Sequence, residues 1–101
     1  MTILSLNVQK LAQFSYPGSS TNDVWGYTAP DGSEYALVGL TNGVSIVDVS
    51  QAPALNEIIR IPGVNSTWRD LKTWGHYAYV THDNPIVPTL PNNGLLIIDL
   101  D

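Results

Sequence analysis

An all-β chain of repeated four-stranded antiparallel units is the fold this sequence predicts, and three observations predict it. The first is an internal repeat. "KLAQFSYPG" (10–18) aligns with "LNEIIRIPG" (55–63), Asp23 with Asp70, Tyr35-Ala36 with Tyr77-Ala78, and "NGVSIVDVS" (42–50) with "NGLLIIDLD" (93–101). The offsets are 45, 47, 42 and 51 residues, and the drift lies in the turns while the strands keep their pattern. The second is the absence of a helical period: the apolar runs are short and rich in β-branched residues. The third is that "VSIVDV" and "LLIIDL" are apolar on both faces. A strand backed by solvent alternates; a strand between two neighbouring sheets does not need to. Stacked four-stranded repeats of this length are the blades of a β-propeller. A seven-stranded sandwich is the alternative, and it accounts for neither the repeat nor the two-sided strands.

The elements follow in order. Residues 10–18 predict a lone outermost (D) strand, Lys10 to Tyr16. Residues 20–63 predict one whole blade: A at Asp23–Tyr27, B at Glu34–Leu40, C at Val44–Val49 and D at Glu57–Ile61. Pro30-Asp31-Gly32 and Thr41-Asn42-Gly43 supply the turns between A, B and C. Pro53 keeps the ladder from running on between C and D. Residues 66–101 predict strands A to C of a second blade. The whole of 1–101 therefore reads as a partial, permuted propeller, part of a larger ring or of an oligomeric one. Two blade faces are expected to lie uncovered, lined by Val38, Ile46, Val80 and Ile97. Strand Lys10–Tyr16 of one copy is expected to pair beside Leu95–Leu100 of the next, and three such copies would make six blades.

Composition narrows the function. The chain has 101 residues, 44% of them apolar and 13% charged, which suits one small globular domain. The net charge is −5, and the four basic residues, Lys10, Arg60, Arg69 and Lys72, are scattered. That excludes a nucleic-acid or anionic-membrane surface. No cysteine is present, so disulfide and thiolate chemistry are excluded. No span is long enough for a membrane helix. "MTILSLNVQK" lacks the basic region of a secretory signal, which predicts either a cytoplasmic setting or a leader outside this sequence.

Candidate site residues gather where the D-to-A and B-to-C connections emerge on one side of the repeat. "SSTND" (19–23), Thr41-Asn42, "NSTWRD" (65–70) and "THDNPIVPTLPNN" (81–93) meet there. The ligand-binding candidates are Thr21, Asn22, Trp68, Arg69, His82 and Asp83. Asp23 and Asp70 open the two A strands at matching places, and carboxylates beside hydroxyl and amide oxygens suit a hard cation such as Ca²⁺. The alternative is that each caps its own turn. Asp48 and Asp99 read as turn caps. His82-Asp83 pairs imidazole with carboxylate, but adjacent strand residues point apart and no nucleophile stands at a telling spacing, so no catalytic residue is assigned. His76 reads as a solvated turn residue on the opposite side. Trp25, Trp74, Tyr27, Tyr35, Tyr77 and Tyr79 read as packing between blades. Trp68 has two readings, core packing or stacking on a sugar or peptide.

The run "NDVWGYTAPDGSEYALVGLTNGVSIVDVS", then "PG", "STWRDLKTWGHYAYV" and "NGLLIIDL", resembles the opening blades of the choice-of-anchor B proteins. These are bacterial surface or secreted propellers of LVIVD-type repeats, and "VSIVD" and "LLIID" are similar to the repeat's signature. The resemblance implies a secreted or cell-surface setting, with an extracellular protein or glycan and other propeller blades as partners. Two function classes result. One is a non-enzymatic binding or scaffolding module acting through the loop side. The other is a fragment of a propeller hydrolase or lactonase using a channel-bound cation.

Overall fold

The computed structural model describes residues 7–84 and 94–101. Seven strands form two antiparallel sheets and the described residues hold no helix. The first sheet runs in sequence order through β1 (Thr21–Thr28), β2 (Glu34–Leu40), β3 (Gly43–Asp48) and β4 (Asn56–Pro62). The second is β5 (Arg69–Trp74), β6 (Tyr77–His82) and β7 (Leu95–Asp99), again in order.

Local chemistry sets the turns. Between β1 and β2, Asp31 Oδ1 accepts the Ser33 N–H at 2.9 Å and Gly32 takes φ 90°. Between β2 and β3, Leu40 pairs with Gly43 across Thr41-Asn42. A Cβ at Gly43 would lie 2.2 Å from the Ile61 carbonyl oxygen, so only glycine lets β4 approach. Asp48 Oδ1 accepts the Ser50 N–H at 2.8 Å and Asp99 Oδ1 the Asp101 N–H at 3.0 Å, which makes both carboxylates turn caps as expected. Bulges interrupt the ladder between Thr21 and Val24 and between Ile46 and Val47.

The core lies between the sheets. Leu37, Val44 and Ile46 of the first meet Leu71, Ala78 and Val80 of the second, all buried. Tyr27, Tyr35, Ile61, Leu96, Ile98 and Leu100 close the rim. The pairs Leu71↔Val80 and Val80↔Leu96 set one residue of each second-sheet strand on the same face. Two of the four side chains expected on uncovered faces, Ile46 and Val80, are therefore in the core. The alternation turns these two toward the sister sheet, while Ile97, one residue out of phase with Leu96 and Ile98, is 54% exposed. Trp74 and Trp25 also depart from the expected packing. Trp74 ends β5 and is 81% exposed. Trp25 is exposed, yet reaches the second sheet by donating from Nε1 to Thr73 Oγ1 at 3.0 Å, with the Lys72 ammonium over its ring.

Residues 10–16, expected as a lone D strand, belong to neither sheet of the single chain, and the segment meets the first sheet through Tyr16. Ala12, Phe14 and Tyr16 are half-buried, while Leu11, Gln13 and Ser15 are exposed. Tyr16 donates its hydroxyl to Ser45 Oγ at 3.1 Å and packs under the Arg60 guanidinium. The Phe14 ring packs tilted against Tyr16, with the centroids 5.0 Å apart. Ser45 in turn donates to Glu57 Oε2 at 2.5 Å, and Arg60 pairs with the same oxygen at 2.7 Å.

The Ser45 hydroxyl, and secondarily Arg60, hold the Glu57 carboxyl below its ordinary pKa of 4.5. A depressed folded-state pKa contributes stability that is full above the unfolded value and is lost as pH falls through the folded one. Asp31 and Asp99 are lowered as well, by the Ser33 and Asp101 N–H groups. The melting temperature should therefore fall below about pH 4.5. Glu57→Gln should flatten part of that fall in a melting series run from neutral to acid pH. A slope identical to that of the parent chain would remove Glu57 from the account.

Candidate functional site

The starts of β1 and β5, the β2–β3 turn and the end of β6 come together at one side of the molecule. They meet there because antiparallel meanders return every second connection to the same edge. Ser19, just before β1, is tied to the β2–β3 turn: its Oγ lies 3.1 Å from Thr41 Oγ1 and donates to Asn42 Oδ1 at 2.9 Å. The Ser66 N–H donates to the Thr41 carbonyl at 2.8 Å, and Asn22 Nδ2 donates to the Thr67 carbonyl at 3.1 Å. The loops of both sheets are thereby one hydrogen-bonded surface.

Two clefts open on it. The larger, about 500 Å³, is lined by small polar side chains, among them Thr41, Asn42, Asn65, Ser66, Thr67 and Asp83. Ser66 is buried at its base. Its Oγ lies 2.5 Å from Asp83 Oδ1 and 2.8 Å from the Trp68 carbonyl. A hydroxyl has one proton, so it serves these two acceptors in turn. The smaller cleft, about 220 Å³, is lined by Asn22, Asp23, Trp68, Arg69 and Asp70. Thr67 and Trp68 are consecutive, so the two clefts adjoin along one loop.

The proposed site residues are placed as follows. Thr21 is exposed at the start of β1. Asn22 is committed on both ends of its amide, accepting the Asp23 N–H at 2.9 Å besides bonding Thr67. Trp68 is 67% exposed, so of its two readings the structure favours the exposed one over core packing. Arg69 is 3% exposed and its guanidinium is turned inward, donating to the carbonyls of Leu40 and Val64. Burial lowers its pKa from the ordinary arginine value. It joins the sheets more than it faces solvent.

His82 and Asp83 diverge, as adjacent residues in extended backbone do. Asp83 turns to Ser66, while the N–H groups of Asn84 and Gly94 lie 3.2 and 3.0 Å from the two ring nitrogens of His82. His76 sits at the opposite end of the second sheet, paired with Asp99 at 2.8 Å. Positions 85–93 of the loop expected on this side lie outside the described residues.

Asp23 and Asp70 do line one cleft, as their matched positions suggested. Asp23 caps a different backbone from the one expected: its Oδ2 accepts the Leu71 N–H at 2.9 Å, across from its own turn. No third histidine, cysteine or carboxylate joins them among the described residues. A calcium ion takes about six to eight oxygen ligands, so these two side chains alone do not make its site. Ser66, Asn65 and Ser19 are the site residues that sequence reasoning passed over singly. Their signal was the run of small polar residues that follows each Pro-Gly, 19–22 after Gly18 and 65–67 after Gly63.

Comparison with known proteins adds one match. No curated protein and no solved structure matches the chain. Residues 32–61, which carry β2, β3 and most of β4 with their turns, match the family model described as LVIVD repeat, a propeller-type repeat.

Proposed function

We propose that this chain is a non-enzymatic propeller module of a bacterial surface or secreted protein, and that it binds an extracellular glycan or protein through its loop side. The observation that carries the reading is Trp68, two-thirds exposed beside a cleft of hydroxyl, amide and carboxylate groups. An indole in water is an apolar plate awaiting a partner face. The neighbouring Asn, Ser and Thr groups offer donors and acceptors in numbers that suit a sugar or an extended peptide. Those polar groups are held by one another and by backbone, so the surface is ordered before a ligand arrives. The buried Ser66 hydroxyl is shared between Asp83 and the Trp68 carbonyl, and the His82 ring faces the N–H groups of Asn84 and Gly94 instead, so the described site residues hold no serine–histidine pair of the kind hydrolysis uses.

Probing immobilised polysaccharide and peptide arrays with the purified chain tests this. Trp68→Ala should weaken the binding found by about tenfold, equivalent to 1.4 kcal/mol. Its melting temperature should stay unchanged, because the indole is exposed. Trp74→Ala, at the far end of β5, should leave binding as it was. Binding insensitive to Trp68→Ala, or none on either array, would overturn the proposal.

A further inference from the structure

The smaller cleft of the loop side differs from the larger one in what it offers a ligand. The Trp68 indole lines it, 67% exposed, with the carboxylates of Asp23 and Asp70 beside it. Asp23 is half-buried and gives Oδ2 to the Leu71 N–H, which leaves Oδ1 for a ligand. Asp70 is exposed, and its carboxylate has no hydrogen-bond or ion-pair partner among the described residues. The Asn22 amide is already engaged at both its oxygen and its nitrogen. An apolar plate and negative charge are therefore what this cleft presents.

No cation of the chain answers that charge. Arg69 lines the same cleft, but its guanidinium is buried and turned onto the carbonyls of Leu40 and Val64. Lys10 is engaged by Gln13, Arg60 by Glu57 and Lys72 by the ring of Trp25. Asp83, on the adjoining cleft, adds a third carboxylate to the same side. Twice within the chain an aromatic face carries a cation: Lys72 Nζ lies 4.3 Å from the Trp25 centroid, and the Arg60 guanidinium 5.0 Å from that of Tyr16. The negative face of a ring attracts such groups, and Trp68 holds none among the described residues.

We propose that the smaller cleft receives the basic side chain, lysine or arginine, of an extended peptide. Its stem lies along the Trp68 indole and its charged head meets Asp70 and the free oxygen of Asp23. The proposal rests on the reading of Trp68 as a ligand-facing side chain and names the partner that side chain serves. A basic side chain joins an apolar stem to a cationic tip, which matches a plate flanked by carboxylates. A sugar ring asks for hydroxyl partners on several sides, and with the Asn22 amide engaged this cleft has few to give. The peptide backbone then falls over the adjoining cleft, whose amide and hydroxyl groups begin at Thr67, one residue away. The net charge of −5 draws a basic partner from a distance as well.

Titrating the chain with a short alternating Ala–Lys peptide tests this. Acetylating the lysine amines, which keeps the stem and removes the charge, should weaken binding about tenfold. Asp70→Asn should weaken it about fivefold at low salt, with the difference shrinking as salt is added. Asp101→Asn removes one charge at the opposite end of the second sheet and should change nothing. Equal losses from Asp70→Asn and Asp101→Asn would overturn the proposal, since net charge alone would then explain the binding. Tighter binding of the acetylated peptide, or of a glucosamine oligomer, would overturn it too. If either of those ligands still needed Trp68, the indole would keep its role and only the basic partner would be lost. Peptide binding indifferent to Trp68→Ala would remove both.

Discussion

Leu71→Ala should cost the chain about 3 kcal/mol, within the roughly 2–5 kcal/mol range of buried leucine truncations. Leu71 is 1% exposed and sits on β5, the first strand of the second sheet, against Leu37, Val44 and Ile46 of the first. One of its methyl carbons would lie 3.1 Å from a Cβ added at Gly39, so the two sheets approach closely there. Truncation opens a cavity that neither sheet can close without breaking its own ladder. Against a total stability of about 5–15 kcal/mol for a domain, that loss is a large fraction. Urea unfolding followed by tryptophan fluorescence measures it. Exposed Ile97→Ala should cost far less, and equal costs for the two would mean the sheets are not packed as described.

Arg69→Ala should be nearly as damaging, at about 3 kcal/mol, for a different reason. The guanidinium is the one cationic group among the described residues that is buried. It spans the β2–β3 turn and the loop before β5 by donating to Leu40 and Val64. Removing it leaves two carbonyls short of a donor and a void where the stem was, and the relief of desolvating a charge offsets only part of this. Arg69→Lys should not restore stability, because an ammonium lacks the fork that reaches two carbonyls at once. Full recovery with lysine would show that charge alone, not the fork, holds the loops.

Much of the fold was legible because local chemistry fixed it. β2, β3 and β4 stand between turns whose residues allow few geometries, Pro30-Asp31-Gly32 and Thr41-Asn42-Gly43 above all. The four-plus-three strand count followed from the repeat. What was not legible depends on neighbours. A strand that is apolar on both faces carries no period to say which face meets its sister sheet, so Ile46 and Val80 were assigned to the wrong side. Residues 10–16 have strand composition, but pairing needs an edge, and sequence does not say whose edge is free. Arg69 read as a loop cation because its carbonyl partners lie on other segments. Trp68 and Trp74 show the same limit: an indole's size favours burial, but burial requires something to lie beneath it.

The surface formed by both sheets' loops is the central claim, and amide chemical-shift mapping with an array-selected glycan or peptide tests it most directly. Shifts are predicted at Thr41, Asn42, Ser66, Thr67, Trp68 and Asp83, from both sheets and with one affinity. Trp74, Gly75 and His76, at the opposite end of β5 and β6, should not move. Shifts centred on that opposite end, or loops of the two sheets responding with different affinities, would contradict it.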